Sequence, residues 1–491
     1  MIDGLLSPVS VLSWSVLGLV LVGTLLGVMA GAIPGLTGAM VIALTVPVTY
    51  GMDKVEALVL LVSMYVGAVG GGLITATLLR MPGTPASIMT TLDGYPMAER
   101  GESRRALALG IGASFVGGLV SWILLVLIAG PAAAASVKLG PWEMFSLILV
   151  ALVLIASISR GQMLVGLFAG ALGALLAMPG PNPATGVARM TFGLPAMADG
   201  FKVLPVLIGL FALAQVIREA SRSVESETAT ASKTAGELPG LTTWIRQWIN
   251  LLRSSFLGTV IGILPGVGAN VGSVVAYSAA KAGATPEEET RFGKGADSGI
   301  VASEAANNAT VGGALVPLVS LGIPGSVVDA VLLGAFVIHG VQPGRMLFTN
   351  HPEVVHAITG SYLLANFAMV VVMAAGVRWI AKLATVPKWL LLPSILTFCV
   401  LGTYALANRA FDVWVMIGFG ILGFVLERYR IPLAPLVIGF VLAPVAEENL
   451  LSGLAASGGN LTPLFTRPIS LVLVLIALAL LLWPHLRKAR P

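Results

Sequence analysis

Residues 80–101 read RMPGTPASIMTTLDGYPMAERG, and the reading of this stretch decides the fold. Pro82-Gly83 and Pro85 cannot continue a helix, because proline lacks the backbone donor and its ring clashes with the preceding turn. Yet the residues on either side are apolar enough to lie in a membrane. In hydrocarbon each unpaired backbone group costs several kcal/mol, so an open break persists only where protein buries it or a watery cavity bathes it. The stretch is therefore expected to be a broken or re-entrant helix, and its break a candidate site.

Composition supports that membrane setting. Of the 491 residues, 57% are hydrophobic and only 10% are charged, and mean hydropathy is +0.95. A soluble domain carries about 25% charged residues, so the chain reads as an all-α polytopic membrane protein with about 11–14 membrane segments. Fifty-eight glycines and 29 prolines suggest close helix contacts and interrupted spans. The net charge of +5 resembles a nucleic-acid signal. Its cations, however, sit in short loops between apolar runs, which is the positive-inside pattern, and no nucleic acid is expected. The lone Cys399 excludes a disulfide framework. The apolar run from about Val11 to Ala32 has no Lys or Arg before Lys54, a poor signal peptide, and is read as a first membrane segment.

The chain repeats itself. GVMAGAIPGLTG (27–38) matches GTVIGILPGVGA (258–269) at Gly27/Gly258, Gly31/Gly262, Pro34/Pro265 and Gly35/Gly266. Gly71-Gly72 precedes Pro82-Gly83 as Gly312-Gly313 precedes Pro324-Gly325. Between the halves lies REASRSVESETATASKTAGELPG (218–240), the one clearly soluble stretch. The expected organisation is a first repeat over 1–220, with core 13–103 and scaffold spans 104–220, and a cytoplasmic linker over 221–250. A second repeat follows over 251–486, with core 254–345 and scaffold spans 354–486. Clusters of Arg and Lys, among them Arg100, Arg104, Arg105, Arg218, Arg246, Arg428 and Arg487, place the N-terminus outside and the linker and C-terminus inside. That parity makes the repeats inverted.

Paired breaks point to a site at the repeat interface. Thr84 and Ser87 follow Pro82-Gly83, and Ser326 follows Pro324-Gly325. Each group stands where a half-helix starts, with free N–H groups and the positive end of the dipole, which suits a carboxylate. A packing kink is the alternative for any one of them; finding the break twice, with hydroxyls after both, favours a site. Pro34-Gly35 and Pro265-Gly266 with Asn270 form a second pair, read as cation or anion ligands or as hinges. In SEAANNAT (303–310), Glu304, Asn307 and Asn308 stand at i, i+3 and i+4 and are expected on one inward face. Their oxygens suit a hard cation such as Na⁺, a buried Glu could carry a proton, and an interhelical network is the alternative. Asp93 and Asp329 are membrane-depth ligands or exit-loop residues, and Arg80 a carboxylate partner or an interfacial anchor. The histidines near 339–356 lack metal-ligand spacing. No nucleophile–His–acid set, zinc spacing or Walker loop occurs, so no enzyme is expected, and transport must run on an ion gradient or on a partner's ATPase.

These residues carry a family resemblance. GAIPGLTG, PGTPAS…TTLDGYPMAERG, GILPGVGA, FGKGADSGIVASEAANNATVGGALVPL and LGIPGS…GAFVIHGVQPG resemble the large membrane subunit of the tripartite tricarboxylate transporters. The likeness runs over about 27–345. It implies a carboxylate importer of the bacterial inner membrane, driven by an ion gradient usually taken as Na⁺. It also implies a small TctB-like membrane subunit and a periplasmic TctC-like solute-binding protein as partners. By the same resemblance the loops at 82–87 and 324–326 bind the substrate carboxylate. Two departures flank that place: the family more often has Asn at position 80, and small or hydroxyl residues at 327–329.

The expectation is a binding-protein-dependent secondary transporter importing a di- or tricarboxylate by alternating access, coupled to Na⁺ or H⁺, with no cofactor. A passive anion pore is the competing class, but a pore needs a continuous polar lining, whereas polarity here is confined to a few breaks.

Overall fold

A computed structural model describes residues 13–33, 35–158, 163–183, 185–221, 236–266, 268–344, 346–383 and 387–488. Pro34 of the second pair of breaks lies outside the described residues, as do residues 222–235 of the stretch read as a linker. The last part of that linker reading, 241–250, is helical. Its Trp244, Ile245, Trp248 and Ile249 recur at helical spacing, so the chain re-enters regular structure earlier than composition suggests.

The first half runs as α1 (Trp14–Gly31), α2 (Gly38–Thr49), α3 (Lys54–Leu79), a 3₁₀ turn (Pro85–Ser87) leading into α4 (Ile88–Glu99), and α5 (Ser103–Ser136). Then come α6 (Pro141–Ile158), α7 (Met163–Leu176) and α8 (Val203–Ser221). The same alternation recurs in α9 (Leu241–Ile263), α10 (Gly268–Ala282), α11 (Asp297–Leu321), α12 (Val327–Ile338) and α13 (Pro352–Leu383). α14 (Lys388–Ala407), α15 (Ala410–Arg428), α16 (Leu433–Ala456) and α17 (Pro468–Lys488) follow. Strand content among the described residues is one two-residue pairing, Gly180–Pro181 with Ala188–Arg189.

Among the described residues, eight helices are long and apolar enough to cross a membrane, and five shorter apolar ones, α2 and α12 among them, accompany them. The chain is a multi-pass, all-α membrane protein. α11 falls outside the eight because it carries Asp297, Glu304, Asn307 and Asn308, yet every residue from Ser298 to Ser320 is buried. A helix this polar is stable at depth only when protein encloses it. α3 is enclosed too, whereas α14 leaves Trp389, Phe398 and Leu401 exposed, as a lipid-facing helix should.

The enclosed pair organises the core. α3 packs on α1 of its own half and on α13 of the other; α11 packs on α9 of its own half and on α5 of the other. Lipid tails are as apolar as leucine, so small residues that admit close backbone contact hold such helices together. A Cβ on Gly27 would strike the Met64 carbonyl, and one on Gly258 the Ala306 carbonyl. On Gly31 it would strike Ala68, and on Gly262 Thr310. The glycines matched in sequence thus do the same work at α1–α3 and α9–α11. Around this core α16 packs on α6 and α7, α17 on α6, and α15 on α8.

Candidate functional site

Both Pro-Gly breaks after the central helices are built alike. α3 ends at Arg80 in the left-handed conformation, φ 56°, and α11 ends at Gly322, φ 69°. Each chain then turns back toward the first helix of its own half. At Gly83 a Cβ would meet the Gly31 carbonyl; at Gly325 it would meet the Gly262 carbonyl and the Ala314 Cα, both at 2.9 Å. Glycine is required here by close approach rather than by backbone dihedral. Ser326 then caps α12, accepting from the Asp329 amide at 3.3 Å, and Thr37 caps α2, accepting from Met40 at 3.2 Å. Thr84 bonds Ser87 at 2.9 Å instead of capping.

These turns converge on one cavity of about 290 Å³. The starts of four helices line it: Thr37, Gly38 and Ala39 of α2; Thr84 and Ala86 before α4; Gly268, Ala269 and Asn270 of α10; Ser326, Val327 and Val328 of α12. The helix starts that follow the four sequence breaks, two per half, therefore meet at one place. The first amides of a helix have no intrahelical partner and the dipole is positive there, so the arrangement favours an anion. Gly266 also lines the cavity, but its amide is occupied by the Gly325 carbonyl at 2.7 Å. Of the expected ligands, Pro82, Pro324, Gly83, Gly325 and Ser87 shape the turns without lining the cavity. Gly35, φ 92°, faces a smaller neighbouring cleft beside Gln215 and Glu219.

The cluster on α11 divides. Asn307 lines the cavity, buried, donating to the Val69 carbonyl at 3.4 Å, while its Oδ1 has no partner among the described residues. Glu304 and Asn308 do not line it. Glu304 accepts from Thr90 at 2.5 Å and from Ser114 at 3.2 Å, and Asn308 donates to Ser114 at 2.7 Å. The common face expected from i, i+3, i+4 spacing splits because positions i+3 and i+4 lie about 100° apart around a helix.

Three further residues are placed away from the cavity. Asp93 is a buried part of α4 and accepts from the Gly293, Gly295 and Ala296 amides and the Tyr277 hydroxyl, at 2.8–2.9 Å. It pins the turn that leads into α11, a structural task. Arg80 is exposed, its guanidinium 5.6 Å from the Tyr95 ring centroid. Asp329 is buried behind Ser326.

Sequence reading missed the charged wall. Arg218, counted there as a loop cation, lines the cavity together with Gln215, Phe211 and Leu210 of α8, Glu427 of α15 and Tyr65 of α3. Its guanidinium lies 2.8 Å from Glu427 and also donates to Gln215. Among the described residues, Arg218 and Glu427 are the only charged ones that line the cavity. α8 widens to a π-helix over Ile208–Leu213, a feature common at functional sites. The available signal was Gln215 and Arg218 at i, i+3 in an apolar window, which fixes a shared face but not what it looks at.

A profile of the tripartite tricarboxylate transporter TctA family matches residues 17–438. The chain is 33% identical over 472 residues to an uncharacterised 52.8 kDa protein of the TAR-I ttuC' 3' region of Agrobacterium vitis, covering 96% of this chain and 93% of that one. It is 37% identical over 221 residues to a protein of the TAR-II ttuC' 3' region of the same organism, covering 44% of this chain and 90% of that one. No solved structure matches.

Proposed function

We propose, for a chain that belongs to the tripartite tricarboxylate transporter TctA family, that the cavity ringed by four helix starts is its substrate site. Membership makes it the large membrane subunit of such a transporter. The substrate is a di- or tricarboxylate, imported across a bacterial inner membrane by alternating access of two inverted repeats. The N-terminus is periplasmic and the C-terminus cytoplasmic. A gradient of Na⁺ or H⁺ drives the import, with Glu304, Asn307 and Asn308 as the polar network beside the site. A small membrane subunit and a periplasmic binding protein complete the system.

The observation that carries this reading is the convergence of the starts of α2, α4, α10 and α12 on a cavity lined, among the described residues, by one cation, Arg218. Anions bind helix N-termini through unpaired amides and the dipole, and a guanidinium adds the fork geometry that fits a carboxylate. Glu427 pairs with that guanidinium at 2.8 Å, so a carboxylate that binds there competes with Glu427 for it.

The test is uptake in proteoliposomes, with both partner subunits, of a radiolabelled carboxylate panel under imposed Na⁺ or H⁺ gradients. Accumulation above equilibrium that collapses with the gradient supports coupled transport and names the substrate. Equilibration unmoved by either gradient indicates a pore and rejects the reading.

A further inference from the structure

Three buried carboxylates sit near the breaks, and they are treated differently. Asp93 accepts four hydrogen bonds and Glu304 accepts one on each oxygen. Asp329 is wholly buried, and neither of its carboxylate oxygens has a partner among the described residues. It stands in the first turn of α12, where Ser326 accepts from its amide and pairs with the Tyr65 hydroxyl at 3.1 Å. Both Ser326 and Tyr65 line the cavity.

The elements packed on α12 supply no countercharge. α2 and the first turns of α8 carry no ionisable residue. On α3 the ionisable groups are Tyr65, and Lys54 and Glu56 at its far start, Lys54 being paired with Glu353. On α11 they are Asp297, paired with Arg105, and Glu304. On α16 they are Glu447, paired with Arg189, and Glu448. An ionised carboxylate in this place has neither solvent nor cation, and no donor at hydrogen-bond geometry among the described residues, so it is penalised far more than the neutral acid.

We propose that Asp329 is a proton-binding site linked to the cavity, so that the coupling ion of the carrier is H⁺. The inference rests on the carrier reading above. With the cavity closed, the carboxyl is neutral and holds its proton. When the cavity opens to water, Asp329 becomes solvated and the proton leaves to water. An anion in the cavity opposes ionisation of a carboxyl one residue behind its wall, so substrate and proton favour each other. By linkage the effect is reciprocal: lower pH tightens substrate binding, and substrate binding draws in a proton. This is the relation a symporter needs.

Two measurements test it. The first is infrared difference spectroscopy of the purified protein at neutral pH, comparing wild type with Asp329→Asn and with Glu304→Gln. A protonated-carboxyl band lost in Asp329→Asn supports the proposal; spectra that match in that region overturn it. Should Asp329→Asn fail to fold, Asp329→Glu takes its place, and the band must change frequency; a band unmoved by that substitution overturns the proposal. The second is transport in proteoliposomes. Asp329→Asn, locked in the neutral form, is expected to keep substrate exchange within about twofold of wild type, while accumulation driven by a pH gradient disappears. Accumulation equal to wild type overturns the proposal. If wild type moves no carboxylate at all, the carrier reading fails by itself, and the infrared band still decides whether Asp329 holds a proton.

Discussion

At the residue scale, charge at membrane depth is sorted by its partners. Asp93 looked like a candidate ligand because it follows a Pro-Gly break, yet it accepts four hydrogen bonds, three on Oδ1 and one on Oδ2, from the turn before α11 and from Tyr277. Hydrogen bonds to a charged group contribute about 1.5–3 kcal/mol each, and an amide cannot replace all of them. Asp93→Asn is therefore expected to lower stability by about 2–3 kcal/mol, read as a lower midpoint of unfolding in detergent, with carboxylate binding intact in the folded fraction. A mutant that keeps its midpoint but loses binding would make Asp93 a ligand after all. Arg218 has the opposite profile. Arg218→Gln removes the one cation of the cavity wall and leaves Glu427 there unopposed, so carboxylate binding should weaken by about ten- to a hundredfold. Glu427→Gln frees the guanidinium and should tighten it. Equilibrium binding of the transported carboxylate checks both, and equal affinity in all three proteins would remove Arg218 from the site.

At the element scale, the breaks depend on glycines that let one backbone lie on another. Gly83 rests against the Gly31 carbonyl and Gly325 against that of Gly262, so the turns that open α4 and α12 are docked onto α1 and α9. A single methyl group at either place forces backbone apart, and overpacking of this kind costs about 1–3 kcal/mol. Gly83→Ala and Gly325→Ala should each reduce folded yield and transport, whereas Gly130→Ala, where no atom lies within 4 Å, should behave as wild type; fluorescence size-exclusion profiles and uptake check this. The breaks were legible in sequence because Pro-Gly inside apolar runs has few physical explanations in a membrane. The faces of the intact helices were not. Spacing placed Gln215 and Arg218 together, and likewise Glu304, Asn307 and Asn308, but only packing decides that Arg218 and Asn307 look into the cavity while Glu304 meets Thr90 and Ser114.

At the scale of the molecule, the two halves interlock: α3 lies against α13, and α11 against α5, so neither core is completed by its own sequence alone. The repeated order of elements was readable from matched glycines and prolines, whereas this exchange of partners was not, since no local pattern reports which half a helix packs on. Convergence on one cavity of the helix starts that follow the four breaks depends on this interlocking. It can be tested directly because the chain has one cysteine, Cys399, which is buried. In a Cys399→Ser background, single cysteines at Thr84, Ser326 and Asn270 report the cavity wall, and one at Ser394, exposed on α14, serves as control. Maleimide labelling is measured with and without saturating transported carboxylate. Substrate is expected to protect all three cavity positions, from both halves, and to leave Ser394→Cys unchanged. Labelling of the three cavity cysteines that is indifferent to substrate would contradict it.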